Sequence, residues 1–266
     1  MKKIIFLTVL VGLAYGSQAQ VLKKVQRRLE NKAEKKIDEM LDSKKTKPAA
    51  GSTNTQLEGV LGGLNPGEPF LRGTQLIFSD DLANDAPGSM PRYWQTNSTG
   101  AVVSLNGVSG KWLQLAARAS YQLDTLLQLP KKFTLEFDLL TRASEASDLR
   151  DIDFGFSKNN STKSYIYGVG KEVSVYSSLK YYYETITTDA GNNSSTLPFP
   201  LSNYANATMH ISISVDGEQM QLFIDSQKVL DAAVIDINAP KHFFLSTDKY
   251  RNGAQAFISN FRVSSF

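Results

Sequence analysis

The run from Val215 to Asp231 reads VDGEQMQLFIDSQKVLD. Its first turn signal, Asp216-Gly217, closes the alternating stretch Met209-Ile211-Ile213-Val215, and its second, Asp225-Ser226, closes Met220-Leu222-Ile224. Alternating apolar and polar residues put every second side chain on one face of a strand, and Asp-Gly between two such runs marks a tight hairpin. The segment therefore predicts a strand pair followed by a third strand. Working outward, the period of two recurs in Ala101-Val103-Leu105, Trp112 to Leu115, Phe133-Leu135-Phe137-Leu139, Ile152-Phe154-Phe156, Tyr165 to Val169, Val173 to Tyr176, His242 to Leu245 and Ala256 to Val263. Asn106-Gly107, Ser109-Gly110, Lys158-Asn159-Asn160 and Asn252-Gly253 separate these runs, as turn residues should. Roughly a dozen short strands without a long helical period predict an all-β fold with the pattern of an antiparallel sandwich or barrel, of which we take the two-sheet antiparallel jelly-roll sandwich over residues 71–266 as the expectation.

Upstream of that region the pattern changes. Met1-Lys2-Lys3, the apolar run Ile4 to Ala14 and the small residues up to Ala19 have the three parts of a secretory signal peptide, so residues 1–19 are expected to be removed on export. That run is shorter than the roughly 20 apolar residues a membrane span needs, and no later stretch is long enough. Residues 20–45 place Leu22, Val25, Leu29, Ala33, Ile37, Met40 and Leu41 at steps of three and four among Lys, Arg and Glu, which predicts an amphipathic helix. Over 21–42 such a helix would serve self-association or contact with an envelope partner, or lie solvated before a linker. Residues 46–70, with Gly59, Gly62, Gly63, Pro66, Gly67 and Pro69, read as that linker.

Composition removes several kinds of chemistry. There is no cysteine, hence no disulfide frame, thiolate zinc site, cysteine nucleophile or lipidation point. Two histidines, His210 and His242, are too few for a multi-histidine metal site. The net charge of +3 is uneven, because Val21 to Lys47 holds ten basic and five acidic residues whereas 71–266 holds seventeen and nineteen. A near-neutral folded region lacks the basic stripe that nucleic acid requires, so no nucleic-acid partner is expected.

Three segments resemble one family. Val215–Asp231 is similar to the meander of concanavalin A-like, laminin-G-like jelly rolls; Phe78 to Trp94, FSDDLANDAPGSMPRYW, looks like their opening; Phe257 to Val263 looks like their closing strand. The resemblance implies an exported domain of the kind found in front of OmpA-like domains in Gram-negative envelope proteins, in the periplasm, associated with the outer membrane or outside the cell. It also implies that Asp80, Asp81 and Asp85 in the opening loop would be the oxygen ligands of a structural calcium, although clustered Asp in a turn also caps backbone. No other cofactor is expected.

Retaining endoglycanases of this fold carry carboxylates at i, i+2 and i+4 of one strand, which period two aims into one cleft. Glu136 and Asp138 supply two and Leu140 stands third; Asp151 and Asp153 repeat the pattern with Gly155 third. Neither completes the set, so no catalytic residue is assigned, and Glu136 and Asp138 are expected to be solvated strand carboxylates open to a ligand. His210, with Ser212 and Ser214 on its face and no arginine on its strand, reads as a surface histidine. The distinctive segment is aromatic and polar: Tyr165, Tyr167, Tyr176, Tyr181, Tyr182 and Tyr183 among Ser, Thr, Asn and Lys. Sugars offer apolar C–H faces and hydroxyl edges that tyrosine rings and nearby carboxylates meet together. The candidate ligand-binding set is therefore Tyr165, Tyr167, Tyr176, Tyr181, Tyr183, Glu136 and Asp138, with a polysaccharide or envelope glycan as partner and no enzyme activity; the alternatives are a structural envelope protein with no small ligand and a glycoside hydrolase or lyase of the same fold. Asn192 to Pro200 reads as a long loop at the sheet rim.

Overall fold

The computed structural model describes residues 69–191 and 193–266. Their strands form two antiparallel sheets packed face to face. Sheet A contains β1 (Gln75–Asp80), β3 (Gly100–Ser104), β4 (Lys111–Leu115), β6 (Lys132–Arg142), β11 (Thr208–Asp216), β12 (Gln219–Ile224), β13 (Gln227–Ala233) and β15 (Gln255–Ser265), ordered β13-β12-β11-β6-β15-β4-β3 with β1 paired to β15. Sheet B contains β2 (Trp94–Thr96), β5 (Ser120–Leu123), β7 (Asp151–Ser157), β8 (Val173–Lys180), β9 (Thr185–Asp189), β10 (Ser194–Pro198) and β14 (His242–Thr247), ordered β10-β9-β8-β7-β14-β5-β2. The expected two-sheet jelly roll is present. The Val215–Asp231 meander is β11 to β13, with Gly217, Asp225 and Ser226 all at positive φ in its two turns.

The alternating residues do what their period demands. Phe133, Leu135, Phe137 and Leu139 of β6 are each at most 1% exposed and meet the other sheet across the core. Phe133 packs edge-on against Phe156 and Phe137 against Phe154, with ring centroids 5.8 and 5.5 Å apart. Burying one such ring contributes roughly 2 to 3 kcal/mol, so this seam is a principal source of the sandwich's cohesion.

Two segments depart from expectation. Tyr165 to Val169 is a loop between β7 and β8; its alternation is real, but the Ile166 N–H bonds the Ser120 hydroxyl at 2.7 Å instead of a strand neighbour. Within the segment expected to be a rim loop, Ser194–Pro198 is the edge strand β10, paired to β9. Its Ser and Thr residues gave no apolar alternation to read, because an edge strand packs little.

Residues 69–73 cross the outer face of sheet A as a strap. The Phe70 ring meets Phe223 of β12 with centroids 5.5 Å apart, and the Gly73 N–H donates to Thr134 Oγ1 at 3.1 Å. A Cβ on Gly73 would lie 2.6 Å from the Ser265 carbonyl oxygen, so the strap can lie this close only with glycine there.

Candidate functional site

On sheet A, period two turns Thr134, Glu136 and Asp138 of β6 away from the core. The register sets His210 opposite Asp138 and Ser212 opposite Glu136. His210 Nδ1 lies 2.6 Å from Asp138 Oδ1 and its Nε2 lies 3.4 Å from Glu136 Oε2. Arg72 of the strap forks onto Glu136, Nε to Oε1 at 2.7 Å and Nη2 to Oε2 at 2.6 Å. On the other side, a bulge in β15 puts Asn260 at φ 55° and its amide donates to Asp138 Oδ2 at 2.6 Å. The bonds to Asp138, then Glu136, push the His210 imidazole up to about 9. Burial pushes both carboxyls up, but His210, with Arg72 for Glu136 and Asn260 for Asp138, outweighs it and holds them below the usual range.

The expectation of solvated carboxylates is corrected: the Glu136 side chain is 3% exposed and lies inside a neutral cluster of two cations and two anions. Arg72 comes from 64 residues away, which no strand period reveals. His210 looked isolated because its partners sit on the neighbouring strand. As an imidazolium at neutral pH it holds the proton a general base would have to accept. The cluster fastens the strap to the sheet.

On sheet B the outward residues are Asp151 and Asp153 of β7, facing Lys180 and Ser178 of β8 in register. Burial pushes Asp153 up to about 6, against the Ser178 hydrogen bond, and burial also raises Asp151. Gly155 follows them, and a Cβ there would sit 2.2 Å from the Val175 carbonyl oxygen, so no third side chain fits. The loop that carries Tyr165 and Tyr167 lies over this face. Ile166 packs with Tyr176 and Phe244, the Tyr165 hydroxyl donates to the Thr247 carbonyl at 3.1 Å, and the Tyr165 and Tyr167 rings stand edge-to-face with centroids 4.7 Å apart. Desolvation raises the Tyr165 phenol, with Asp153 and Asp248 adding to it. The Asp248 N–H donates to the Asp151 carbonyl at 2.9 Å and its own carbonyl accepts from the Arg118 N–H at 3.1 Å. Arg150 Nε is 3.8 Å from Asp248 Oδ2, and the Arg150 guanidinium lies 5.9 Å from the Tyr182 ring centre. Tyr182 and Tyr183, 59% and 68% exposed, form a second edge-to-face pair at the β8–β9 turn.

The structure thus divides the sequence-derived set. Glu136 and Asp138 are on sheet A. Tyr165, Tyr167 and Tyr176 are on the outer face of sheet B, Tyr176 only 8% exposed beneath the loop, and Tyr183 joins that face through Tyr182 and Arg150. Tyr181, 1% exposed, belongs to the core. Arg118, Arg150 and Asp248 join the tyrosines without any local sequence signal, since each comes from a loop at a different end of a strand.

The opening-loop aspartates bond elsewhere. Asp80 accepts from the Leu82 N–H at 3.0 Å and the Trp94 indole N–H at 2.9 Å; Asp81 caps Ala83 and Asp85 caps Arg92. The Ala83 and Asp85 carbonyls, at 2.8 and 2.7 Å, accept from the Lys111 ammonium. The Lys111 ammonium thus holds two of the loop's carbonyls, while Asp85 Oδ2 is buried without a hydrogen-bond partner, and among the described residues no three acidic or histidine side chains are grouped to hold a metal.

The two antiparallel sheets form a concanavalin A-like jelly-roll sandwich. Solved structures share the fold. The Emp47p carbohydrate recognition domain is 14% identical with a TM-score of 0.53, covering 72% of this chain and 97% of that one. The Ca2+-bound VIP36 exoplasmic/lumenal domain is 10% identical with a TM-score of 0.52, covering 71% and 90%. A galectin-like protein of unknown function from Bacillus subtilis is 13% identical with a TM-score of 0.51, covering 73% and 97%. Against a sialidase, at 15% identity and a TM-score of 0.50, the chain spans 19% of the larger molecule. No protein-family model and no curated protein matches the sequence.

Proposed function

We propose that this chain is an exported, non-enzymatic module that binds a glycan or envelope polymer on the outer face of sheet B. The observation that carries the reading is the Tyr165–Tyr167 pair beside Asp153 and Asp248, which joins ring surface to carboxylate oxygens on one face. Sheet A is the weaker candidate because Arg72 covers Glu136. The carbohydrate recognition domain of Emp47p and the leader expected at 1–19 support the same reading, and two carboxylate pairs each lacking a third acid support a binding rather than a hydrolytic role.

The test is affinity electrophoresis of the chain through gels holding soluble polysaccharides, followed by calorimetry on any that retard it. Tyr167 is 52% exposed, so Tyr167→Ala leaves the fold intact and is expected to weaken binding about tenfold or more, the worth of a lost ring contact of roughly 1.4 kcal/mol. Retardation by no polysaccharide, or binding unchanged in both Tyr167→Ala and Asp153→Asn, would reject the proposal.

A further inference from the structure

Arg118 and Arg150 share two properties. Each has positive φ, 53° and 60°, a backbone region that non-glycine residues seldom occupy and that clusters at ligand sites. Each also has a guanidinium with only distant side-chain company: Arg118 Nη2 is 3.5 Å from the Tyr167 hydroxyl and Arg150 Nε is 3.8 Å from Asp248. The contrast within the same molecule is Arg72, whose fork is filled by Glu136 at 2.6 and 2.7 Å. A guanidinium has five N–H donors in a plane that matches a carboxylate or sulfate two bonds at a time. The two arginines on sheet B keep most of that capacity.

Their placement gives the capacity a use. Arg118 stands beside Tyr167, Arg150 beside Tyr182, and Asp248 lies between them. A third cation, Lys180, faces Asp151 on the same sheet. Tyrosine faces take the apolar side of a sugar ring and the carboxylates of Asp151, Asp153 and Asp248 accept its hydroxyls, which leaves the two guanidinium groups for a charged substituent.

We propose that the sheet B face binds an acidic glycan, one bearing carboxylate or sulfate groups, and that Arg118 and Arg150 read that charge beside the two tyrosine pairs. This rests on the glycan-binding reading and narrows its ligand class. Planarity makes the fork matter beyond its charge, so lysine is a poor replacement.

Affinity of the full chain is measured in low salt for polygalacturonate and dextran sulfate against neutral dextran and cationic chitosan. One or both acidic polymers are expected to bind at least about tenfold tighter than dextran, with the preference much reduced in about 0.5 M salt, where the screening length shrinks to a few ångströms; which of the two binds identifies the anionic group. Arg118→Lys with Arg150→Lys is expected to lose about tenfold although the net charge is kept, while Lys131→Gln, at the exposed bend just before β6, loses a charge without effect. Dextran or chitosan bound as tightly as the acidic polymers overturns this inference and leaves the glycan reading standing, as does an acidic preference untouched by the double lysine variant. No binding to any of the four overturns both.

Discussion

His210→Gln removes one cation from the cluster that ties the strap to sheet A while keeping a polar side chain. A shift from 6.5 to about 9 would correspond to about 3 kcal/mol for a fully enclosed group, but the His210 side chain is 41% exposed and water screens it. About 1 to 1.5 kcal/mol is therefore expected. Because the folded protein holds the imidazole proton more tightly than the unfolded chain, the contribution is full below pH 6.5 and fades as pH rises through about 9. It fades again in acid, where Glu136 and Asp138, held below their usual range, take up protons. Urea midpoints for the native chain and His210→Gln should therefore differ by about 1 to 1.5 kcal/mol near pH 6 and converge near pH 10. A difference that stays constant from pH 6 to 10, or is absent at pH 6, would refute the ion-pair assignment.

Three further outcomes are expected. Asp153→Asn should stabilise the fold by about 1 to 2 kcal/mol at pH 7, because a carboxyl pushed up to about 6 costs stability once ionised; the gain should vanish below pH 4 in denaturant titrations. Gly168→Ala would bring a Cβ within 2.4 Å of the Tyr176 ring, so the loop must lift; a loss of about 1 to 3 kcal/mol in thermal or urea unfolding is expected, and an unchanged midpoint would show that the loop does not press on Tyr176. Millimolar calcium or a chelator should leave the melting temperature unchanged, whereas Lys111→Met should lower it through the two carbonyls it strands; a calcium-dependent rise of several degrees would contradict the Lys111 assignment.

Much of the fold was legible because strand period is local. Met209 to Ile224 and Phe133 to Leu139 announce their buried faces by alternation alone, and Asp216-Gly217 announces its turn. The short or polar strands β2, β5, β9 and β10 were not legible, since three or four residues or a run of Ser and Thr carry no period. Of the candidate site, the tyrosine segment was visible as composition, but which rings face outward was not. Tyr181 and Tyr182 are adjacent in sequence, yet the first is 1% exposed and the second 59%.

By itself the sequence determined an antiparallel all-β fold: alternation, turn residues and the apolar content of β6, β7 and β11 demand a sandwich or a barrel to bury every inward face, and the pairing into two sheets came with the tertiary structure. Tertiary structure alone decided what the outward faces do. Glu136 became a buried ion-pair partner because Arg72 crosses its sheet, and Arg118 and Arg150 came to stand beside the tyrosines because three loops converge at Asp248. Burial is set by periods of two along a strand, whereas charge pairing is set by which segments meet across it, and that meeting exists only once the sheets have closed.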